Sequence, residues 1–154
     1  MHAVIYISKA DSFISKAKIK EMLLKSKSYN KDHEITGCII YYKQQFLQLI
    51  EGFEDDVRDL YKKIQQDHRH TQVTTLHDDH CGGRLFPNWS MAFYEFEEDD
   101  SAVHTRLQLD KIMNQATVAE NNKEAFGVLE GSAERLLAQD KHDLFDTVRR
   151  LFHK

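Results

Sequence analysis

The stretch Phe46-Leu47-Gln48-Leu49-Ile50-Glu51-Gly52, residues 46–52, has the character of a buried β-strand. It is short and apolar, and a glycine closes it. Alternate side chains of a strand share a face, so Gln48 shares one face with Phe46 and Ile50 while two leucines occupy the other. A strand that is apolar on both faces is usually covered on both. The Gln48 amide must then find hydrogen-bond partners inside the fold, either backbone groups or a polar ligand.

The composition indicates one ordinary globular domain. The chain has 154 residues, of which 41% are hydrophobic and 30% charged, and its formal charge of −4 does not favour nucleic-acid binding. No apolar run reaches membrane-spanning length, and no signal-peptide pattern opens the sequence. Two cysteines, Cys38 and Cys81, are too few for a disulfide framework, so we expect a reduced, cytoplasmic protein.

A second strand is predicted at residues 3–8, near the start of the chain, where β-branched and aromatic residues dominate. Val4 and Tyr6 share one face of this strand. The Tyr6 hydroxyl sits among apolar neighbours, so it needs a partner inside the fold. A backbone carbonyl would satisfy it, and so would a ligand or another buried side chain.

The periodicity predicts two helices among five strands. A helical period runs from Ser15 to Ser28 and is followed by a polar exit loop, Tyr29 to His33; a second helix is predicted over 54–67. The remaining strands are predicted at 35–42, 72–76 and 89–96, with a loop from Asp78 to Pro87. The connection Lys43-Gln44-Gln45 joins the strands at 35–42 and 46–51 as a hairpin, although it lacks the glycine expected of such a turn.

This element order predicts an α+β fold of the ferredoxin-like βαββαββ kind, with both helices on one face of the sheet. We expect the first and third strands to be central neighbours that run parallel, which would bring Tyr6 and Gln48 onto one face about 5 Å apart. After Asp100 the chain becomes amphipathic, and we expect a helical tail, broken near 117–122 and 139–142, to cover the opposite face. The domains predicted are therefore 1–98 and a C-terminal helical extension over 99–154.

Taken together, these residues resemble the BLUF family, the blue-light sensors that use FAD. The resemblance runs from about residue 3 to residue 96, and its strength lies in the order and spacing of several short segments. In chain order these are Ile5-Tyr6, Asn30, Ile35-Thr36-Gly37, Phe46-Leu47-Gln48 with Glu51-Gly52, Asp67-His68-Arg69-His70 and Trp89-Ser90-Met91. Tyr29 departs from the pattern, because a second asparagine or a histidine is common there.

The resemblance implies a flavin between the two helices and above the sheet. The family points to FAD rather than FMN. Asn30 would bond the polar edge of the ring, and Gln48 would lie between the ring and Tyr6. Met22 and Ile64 would pack on the ring, and Phe46 would line the pocket. The residues expected near the ribityl chain and phosphates are Lys63, Asp67, Arg69 and His70.

The resemblance also implies a light-driven mechanism in which Tyr6 donates an electron and then a proton, and the Gln48 amide turns or tautomerises. The amide has a donor end and an acceptor end of nearly equal shape, so the change rewires hydrogen bonds at little steric cost. A new donor at the flavin C4 carbonyl would shift absorption to the red. Trp89 or Met91 would relay the change through the helical tail to a protein partner or a second copy, without enzymatic, nucleic-acid-binding or membrane-binding activity.

Two other interpretations start from the same residues. A cofactor-free interaction module would use Tyr6 and Gln48 as ordinary core residues. A metal site could draw on His77, Asp78, Asp79, His80 and Cys81, but their spacing matches no known site, and we expect a polar loop there.

Overall fold

A computed structural model of the chain describes residues 1–10, 14–95, 103–114, 125, 127–129 and 131. The described elements, in order, are β1 (His2–Ala10), α1 (Lys16–Asp32), β2 (Thr36–Tyr42), β3 (Gln45–Gly52), α2 (Glu54–Gln66), β4 (His70–His80), β5 (Ala92–Glu95) and α3 (Val103–Asn114). The predicted breaks near 117–122 and 139–142, and the boundary between residues 98 and 99, lie outside the described residues. None of the described helices has the length and apolar character needed to span a membrane.

The five strands form one mixed sheet in the order β4-β1-β3-β2-β5. The first four strands have the ferredoxin-like order, as the sequence predicts. The predicted direction of the central pair is wrong, because β1 and β3 run antiparallel. The crossover through α1 leaves β2 running in the direction of β1, and the hairpin then reverses the chain into β3. The prediction that these two strands are adjacent is confirmed, since Tyr6 lies directly opposite Gln48.

The two faces of the sheet carry separate cores, as the alternation in β1 and β3 predicts. One face is covered by α1 and α2, which pack on Val4, Tyr6, Phe46 and Ile50. The other face buries Ile5, Leu47 and Leu49 against Leu109 and Ile112 of α3. The tail therefore covers the far face of the sheet where it is described.

Helix α1 extends further than its apolar period predicts. Ser15 caps its N-terminus by accepting from the Lys18 N–H, and the helix continues through Tyr29 and Asn30 to Asp32. The predicted exit loop at these positions is wrong, and Asn30 occupies the last helical turn. A bond from Ile35 N–H to Asn30 O at 2.8 Å closes that end onto the start of β2.

The ends of the last two strands also differ from prediction. Residues 78–80 were predicted as loop, yet they continue β4 because they pair with β1 through backbone hydrogen bonds. Trp89 and Met91 precede β5 rather than lying in it, since β5 begins at Ala92. The segment between them is held to the sheet by a bond from Gly37 N–H to Trp89 O at 3.1 Å.

Gly37 is required where β2 passes close to the Leu49 carbonyl of its partner strand β3. A Cβ at this position would lie 2.0 Å from the Leu49 carbonyl oxygen, a contact that no side chain can make. The absence of a side chain lets the two strands approach closely. This explains the glycine in the segment Ile35-Thr36-Gly37.

Candidate functional site

A cavity of about 240 Å³ lies between α1 and α2, above the helix-covered face of the sheet. Its buried lining residues, which we call the floor, are Ile19, Asn30, Ile39, Phe46, Gln48 and Met91. Its exposed lining residues, which we call the mouth, are Lys25, Lys63 and Arg69. The walls include Met22 and Ile64, so most of the residues assigned from sequence line one cavity.

One floor residue, Gln48 on β3, is hydrogen-bonded to Tyr6 on the neighbouring strand β1. The Tyr6 hydroxyl donates to Gln48 Oε1, and both side chains are buried. Burial raises the pKa of Tyr6 well above its usual range, and the nearby Tyr61 and Asp67 act in the same direction. Tyr6 therefore remains a protonated donor, and it fixes the Gln48 amide with its oxygen towards β1.

The other end of the Gln48 amide points to the segment before β5. Gln48 Nε2 donates to Met91 Sδ at 3.4 Å, and Met91 is fully buried beside the helix-covered core. Trp89 packs instead against the opposite core, which contains Leu47 and Leu49. The methionine, and not the tryptophan, is the member of this segment that reaches the cavity.

Asn30 presents an unsatisfied acceptor at the floor. Its Nδ2 donates to the Ser90 carbonyl at 2.8 Å, an assignment fixed by chemistry because that carbonyl can only accept. Its Oδ1 is buried and has no hydrogen-bond partner among the described residues. A buried acceptor left unpaired is costly, so the position is suited to a ligand that donates.

The mouth of the cavity carries positive charge. Arg69 is held by Asp67 through several bonds, including Nε to Oδ1 at 2.9 Å and Nε to Oδ2 at 3.0 Å, and the carboxylate raises the pKa of Arg69. Lys63 Nζ donates to the Tyr29 hydroxyl at 3.2 Å and lies 4.4 Å from the centre of that ring. Tyr29, the residue that departs from the family pattern, therefore positions a lysine at the mouth.

The placement of His70 remains a prediction. It is the first residue of β4, and its side chain lies outside the described part of the structure.

Sequence reasoning missed two kinds of lining residue. Ile39 is the cross-strand partner of Gln48, so the strand register would have revealed it. Lys25 lies on α1 among several lysines that look like a solvated face, and only the three-dimensional structure separates it from the others.

Comparisons with known proteins agree on one family. The family model for BLUF, described as sensors of blue-light using FAD, matches residues 1–92. Photoactivated adenylate cyclase subunit beta of Euglena gracilis is 34% identical over 87 residues, which cover 56% of this chain and 10% of that protein. The blue light- and temperature-regulated antirepressor BluF of Escherichia coli (strain K12) is 33% identical over 86 residues, or 54% of this chain and 21% of that one.

Solved structures show the same fold. A bacterial light-regulated adenylyl cyclase superposes with a TM-score of 0.69 at 29% identity, covering 84% of this chain and 40% of that one. The dark-state structure of BlrB, a BLUF protein, has a TM-score of 0.69 at 22% identity over 85% of this chain and 96% of that chain. The present chain thus spans between a tenth and a fifth of the two relatives above, but nearly all of the BlrB chain.

Proposed function

Because the chain belongs to the BLUF family of blue-light sensors that use FAD, we propose that the cavity between α1 and α2 holds its flavin and that light acts through Tyr6 and Gln48. The observation that carries the proposal is the hydrogen bond from the Tyr6 hydroxyl to Gln48 Oε1 at the cavity floor. A change in either partner occurs in a water-poor setting, where a rewired bond has a larger effect than in solvent.

The residues of the cavity fit a flavin ring. Asn30 Oδ1 would accept from the imide N–H at the polar edge of the ring, which would remove the cost of its missing partner. Met22 from α1 and Ile64 from α2 would pack against the ring, and Phe46 would support it from the floor. An apolar cavity with a few aimed polar groups is the usual form of a cofactor site.

The mouth suits the phosphate-bearing end of the cofactor. Lys25, Lys63 and Arg69 provide three cationic groups there, and Asp67 orients the guanidinium. We propose that His70 joins them, and that the bound flavin is FAD. Release of the cofactor by acid and its identification by mass spectrometry would test this choice, and recovery of FMN alone would contradict it.

The light response would begin at Tyr6 and end at the Gln48 amide. A bound flavin supplies the absorption of blue light and an acceptor for an electron and a proton. Tyr6, bonded to Gln48 of the floor, is the group that can release both. Gln48 can then turn or tautomerise so that its donor replaces its acceptor at Tyr6, and a donor newly directed to the flavin C4 carbonyl shifts absorption to the red.

Residues 89–91 would report the turn of the amide. Each of the three accepts a hydrogen bond from another part of the fold: Trp89 O from Gly37 N–H, Ser90 O from Asn30 Nδ2, and Met91 Sδ from Gln48 Nε2. Turning Gln48 removes the last of these and leaves the other two. Met91 is therefore the first residue expected to change partner, with Trp89 following through the backbone.

The output would pass through the helical tail to a protein partner or a second copy of the chain, with residues 1–98 acting as the sensor and 99–154 as the extension. Tyr42 and Lys43, at the end of β2, both bond Asp110 of α3, at 2.9 and 3.1 Å. Movement of β2 or its neighbour β5 would thus reach α3 directly. The role proposed is signalling rather than catalysis.

We also propose a cytoplasmic location. Cys38 and Cys81 are both free thiols, as expected in a reducing compartment.

A light-minus-dark absorption spectrum tests the photochemical proposal. Wild-type protein should bind flavin and show a reversible red shift, whereas Gln48→Leu and Tyr6→Phe should bind flavin and lose the shift. Gln66→Leu, an exposed glutamine of α2, serves as the matched control and should behave as wild type. A normal shift in Gln48→Leu would overturn the mechanism, and a colourless wild-type protein would favour a cofactor-free interaction module.

Hydrogen exchange of the helical tail tests the proposed output. Illumination should raise amide exchange in residues 103–114 of the wild type and leave exchange in Gln48→Leu unchanged. Equal exchange of α3 in light and dark, in a protein that shows the spectral shift, would exclude this route while leaving the photochemistry intact.

A further inference from the structure

Three potential metal ligands meet at the edge of the sheet, away from the cavity. His2 and His80 are direct cross-strand partners on β1 and β4, and Glu54 begins α2 above them. One ligand atom from each of the three lies within 4.8 Å of the other two. The sequence run at 77–81 thus contributes one histidine, and the other ligands come from distant parts of the chain.

His2 is set up as a ligand. It is buried, and its Nε2 lies 2.5 Å from Asp78 Oδ1. The carboxylate can only accept, so Nε2 carries a proton, and Nδ1 is the nitrogen whose lone pair would bind a metal. Nδ1 is buried and has no hydrogen-bond partner among the described residues. A carboxylate bonded to the far nitrogen of a histidine is the usual outer arrangement around a protein-bound metal.

Glu54 and His80 can complete the site because both are exposed at the surface. Zinc binds histidine nitrogen and carboxylate oxygen at about 2.0–2.2 Å, which places neighbouring ligands of a tetrahedral site roughly 3.4 Å apart. The ligand atoms lie within 4.8 Å of one another in the metal-free protein, so the two exposed side chains would rotate towards the ion on binding. A fourth position remains open to water.

We propose that His2, His80 and Glu54 bind a divalent transition-metal ion, with Zn²⁺ the first candidate, and that Asp78 positions His2. Two imidazoles and one carboxylate are ligands that zinc prefers, whereas Mg²⁺ and Ca²⁺ prefer oxygen alone. A bound ion would clip the first turn of α2 to the sheet edge. The site is separate from the flavin cavity and does not depend on the function proposed above.

In the metal-free protein, Arg58 pairs with two carboxylates of the proposed site, so it should weaken metal binding. Its Nε donates to Glu54 Oε1 at 2.9 Å, and its Nη1 lies 3.6 Å from Asp78 Oδ2. The guanidinium therefore competes for the Glu54 carboxylate and places a positive charge beside the site. Removing this charge should strengthen metal binding, which distinguishes a real site from a chance cluster.

Zinc titration by calorimetry tests the proposal, using the full chain as purified, freed of metal with a chelator and carrying no polyhistidine tag. The wild type should bind one ion per chain. His80→Ala and Glu54→Gln should weaken binding by more than the roughly 10–100-fold typical of losing an outer partner, and Asp78→Asn should fall within that range. His68→Ala, an exposed histidine beyond the end of α2, should bind as wild type, and Arg58→Gln should bind more tightly.

Cobalt provides a second measurement, since Co²⁺ in a tetrahedral nitrogen and oxygen site gives visible absorption that the His80→Ala variant should lack. Far-ultraviolet circular dichroism verifies the fold of each variant independently of flavin binding, and the substitutions avoid the buried His2. Failure of the wild type to bind zinc saturably, or equal affinities of His80→Ala and the wild type, would overturn the proposal.

Discussion

Gln48 donates through Nε2 to Met91 Sδ at 3.4 Å while its Oε1 accepts from the Tyr6 hydroxyl, so both ends of the amide are engaged. The two bonds define one orientation. In the turned amide, Nε2 faces Tyr6 and Oε1 faces Met91 Sδ. Oε1 and Sδ are both acceptors, so no hydrogen bond forms between them. Met91 therefore favours the orientation described here by the energy of one weak hydrogen bond.

We expect Met91→Leu to prolong the light-adapted state. Leucine keeps the volume but removes the sulfur acceptor, so the orientation described here loses about 0.5–1 kcal/mol relative to the turned one. Return to the dark spectrum should slow about 2–5-fold when followed by absorbance after a light pulse. Met22→Leu, which changes another methionine of the cavity wall, is the control. Recovery of Met91→Leu at the rate of that control would show that the sulfur contact does not hold the amide.

Asn30→Ala should weaken flavin binding. The substitution removes the buried Oδ1 acceptor proposed to meet the ring, and it also frees the Ser90 carbonyl that Nδ2 now satisfies. A loss of about 1–2 kcal/mol in the free energy of flavin binding corresponds to an affinity lower by about 5–30-fold. Titration of the apoprotein with flavin, followed by fluorescence quenching, measures the change.

Ser26→Ala is a fair comparison for Asn30→Ala, because Ser26 lines the same cavity from the same helix. Its affinity should stay close to that of the wild type. Equal losses in the two variants would show that general repacking of α1, rather than the amide of Asn30, controls the binding.

Tyr6 should make the protein less stable at high pH. Burial raises its pKa in the folded state above the usual value of about 10, so above that pH the unfolded chain loses a proton that the folded chain retains. The folded state then binds more protons than the unfolded state, and the free energy of unfolding falls as pH rises, by up to about 1.4 kcal/mol per pH unit. Urea unfolding between pH 8 and roughly 11 should show a shallower fall for Tyr6→Phe than for the wild type.

Tyr61 contributes to the same alkaline fall, since burial also raises its pKa, so Tyr6→Phe should reduce the slope without abolishing it. Parallel pH profiles for Tyr6→Phe and the wild type would mean that the Tyr6 phenol titrates normally in the folded protein.

Glu51→Gln should destabilise the fold. The buried carboxylate accepts from Leu85 N–H at 2.9 Å, from Phe86 N–H at 2.7 Å and from the Thr36 hydroxyl at 3.0 Å. The amide of glutamine turns a donor towards one of these donors and leaves a buried N–H unpaired, which costs about 1–3 kcal/mol. Denaturant unfolding compares this variant with Glu34→Gln, an exposed glutamate whose change should be close to neutral, and similar losses in both would contradict the role assigned to Glu51.

Much of the site is predictable from the sequence because it depends on the two-residue period of strands. Alternation places Tyr6 and Gln48 on the same faces as Val4 and Phe46, and the ferredoxin-like strand order makes their strands, β1 and β3, neighbours. The direction of β3 was predicted incorrectly because the helix crossover was applied to the wrong strand. That error left the pairing intact, since antiparallel neighbours bring the two residues together equally well.

The other errors come from interactions that connect distant parts of the chain. The polar end of α1 has no apolar period, yet Asn30 stays helical while its side chain bonds Ser90, 60 residues further on. Residues 78–80 look like a loop because they are charged, but an edge strand is held by its backbone and leaves such side chains in solvent. The cluster of His2, Glu54 and His80 requires a register that no local pattern reveals.

The turn between β2 and β3 has a strained backbone at two non-glycine residues, and a substitution to glycine can relieve part of that strain. The sequence lacks the expected glycine, but Lys43 and Gln44 still adopt positive φ angles of 47° and 60°, which is the type I′ geometry that suits a two-residue turn. A non-glycine residue in this region costs about 1 kcal/mol. Gln44→Gly relieves that cost at one position, keeps the bond from Ala10 N–H to Gln44 O, and leaves Lys43 free to bond Asp110.

We expect Gln44→Gly to raise the free energy of unfolding by about 0.5–1 kcal/mol, because relief of the strain exceeds the added flexibility of the unfolded chain. Gln45→Gly, one position later in β3, is the matched control. It should destabilise the protein instead, since glycine inside a strand loses side-chain packing and conformational entropy. Denaturant unfolding of both variants gives the signs, and a destabilised Gln44→Gly would show that the turn does not hold Gln44 in the left-handed region in solution.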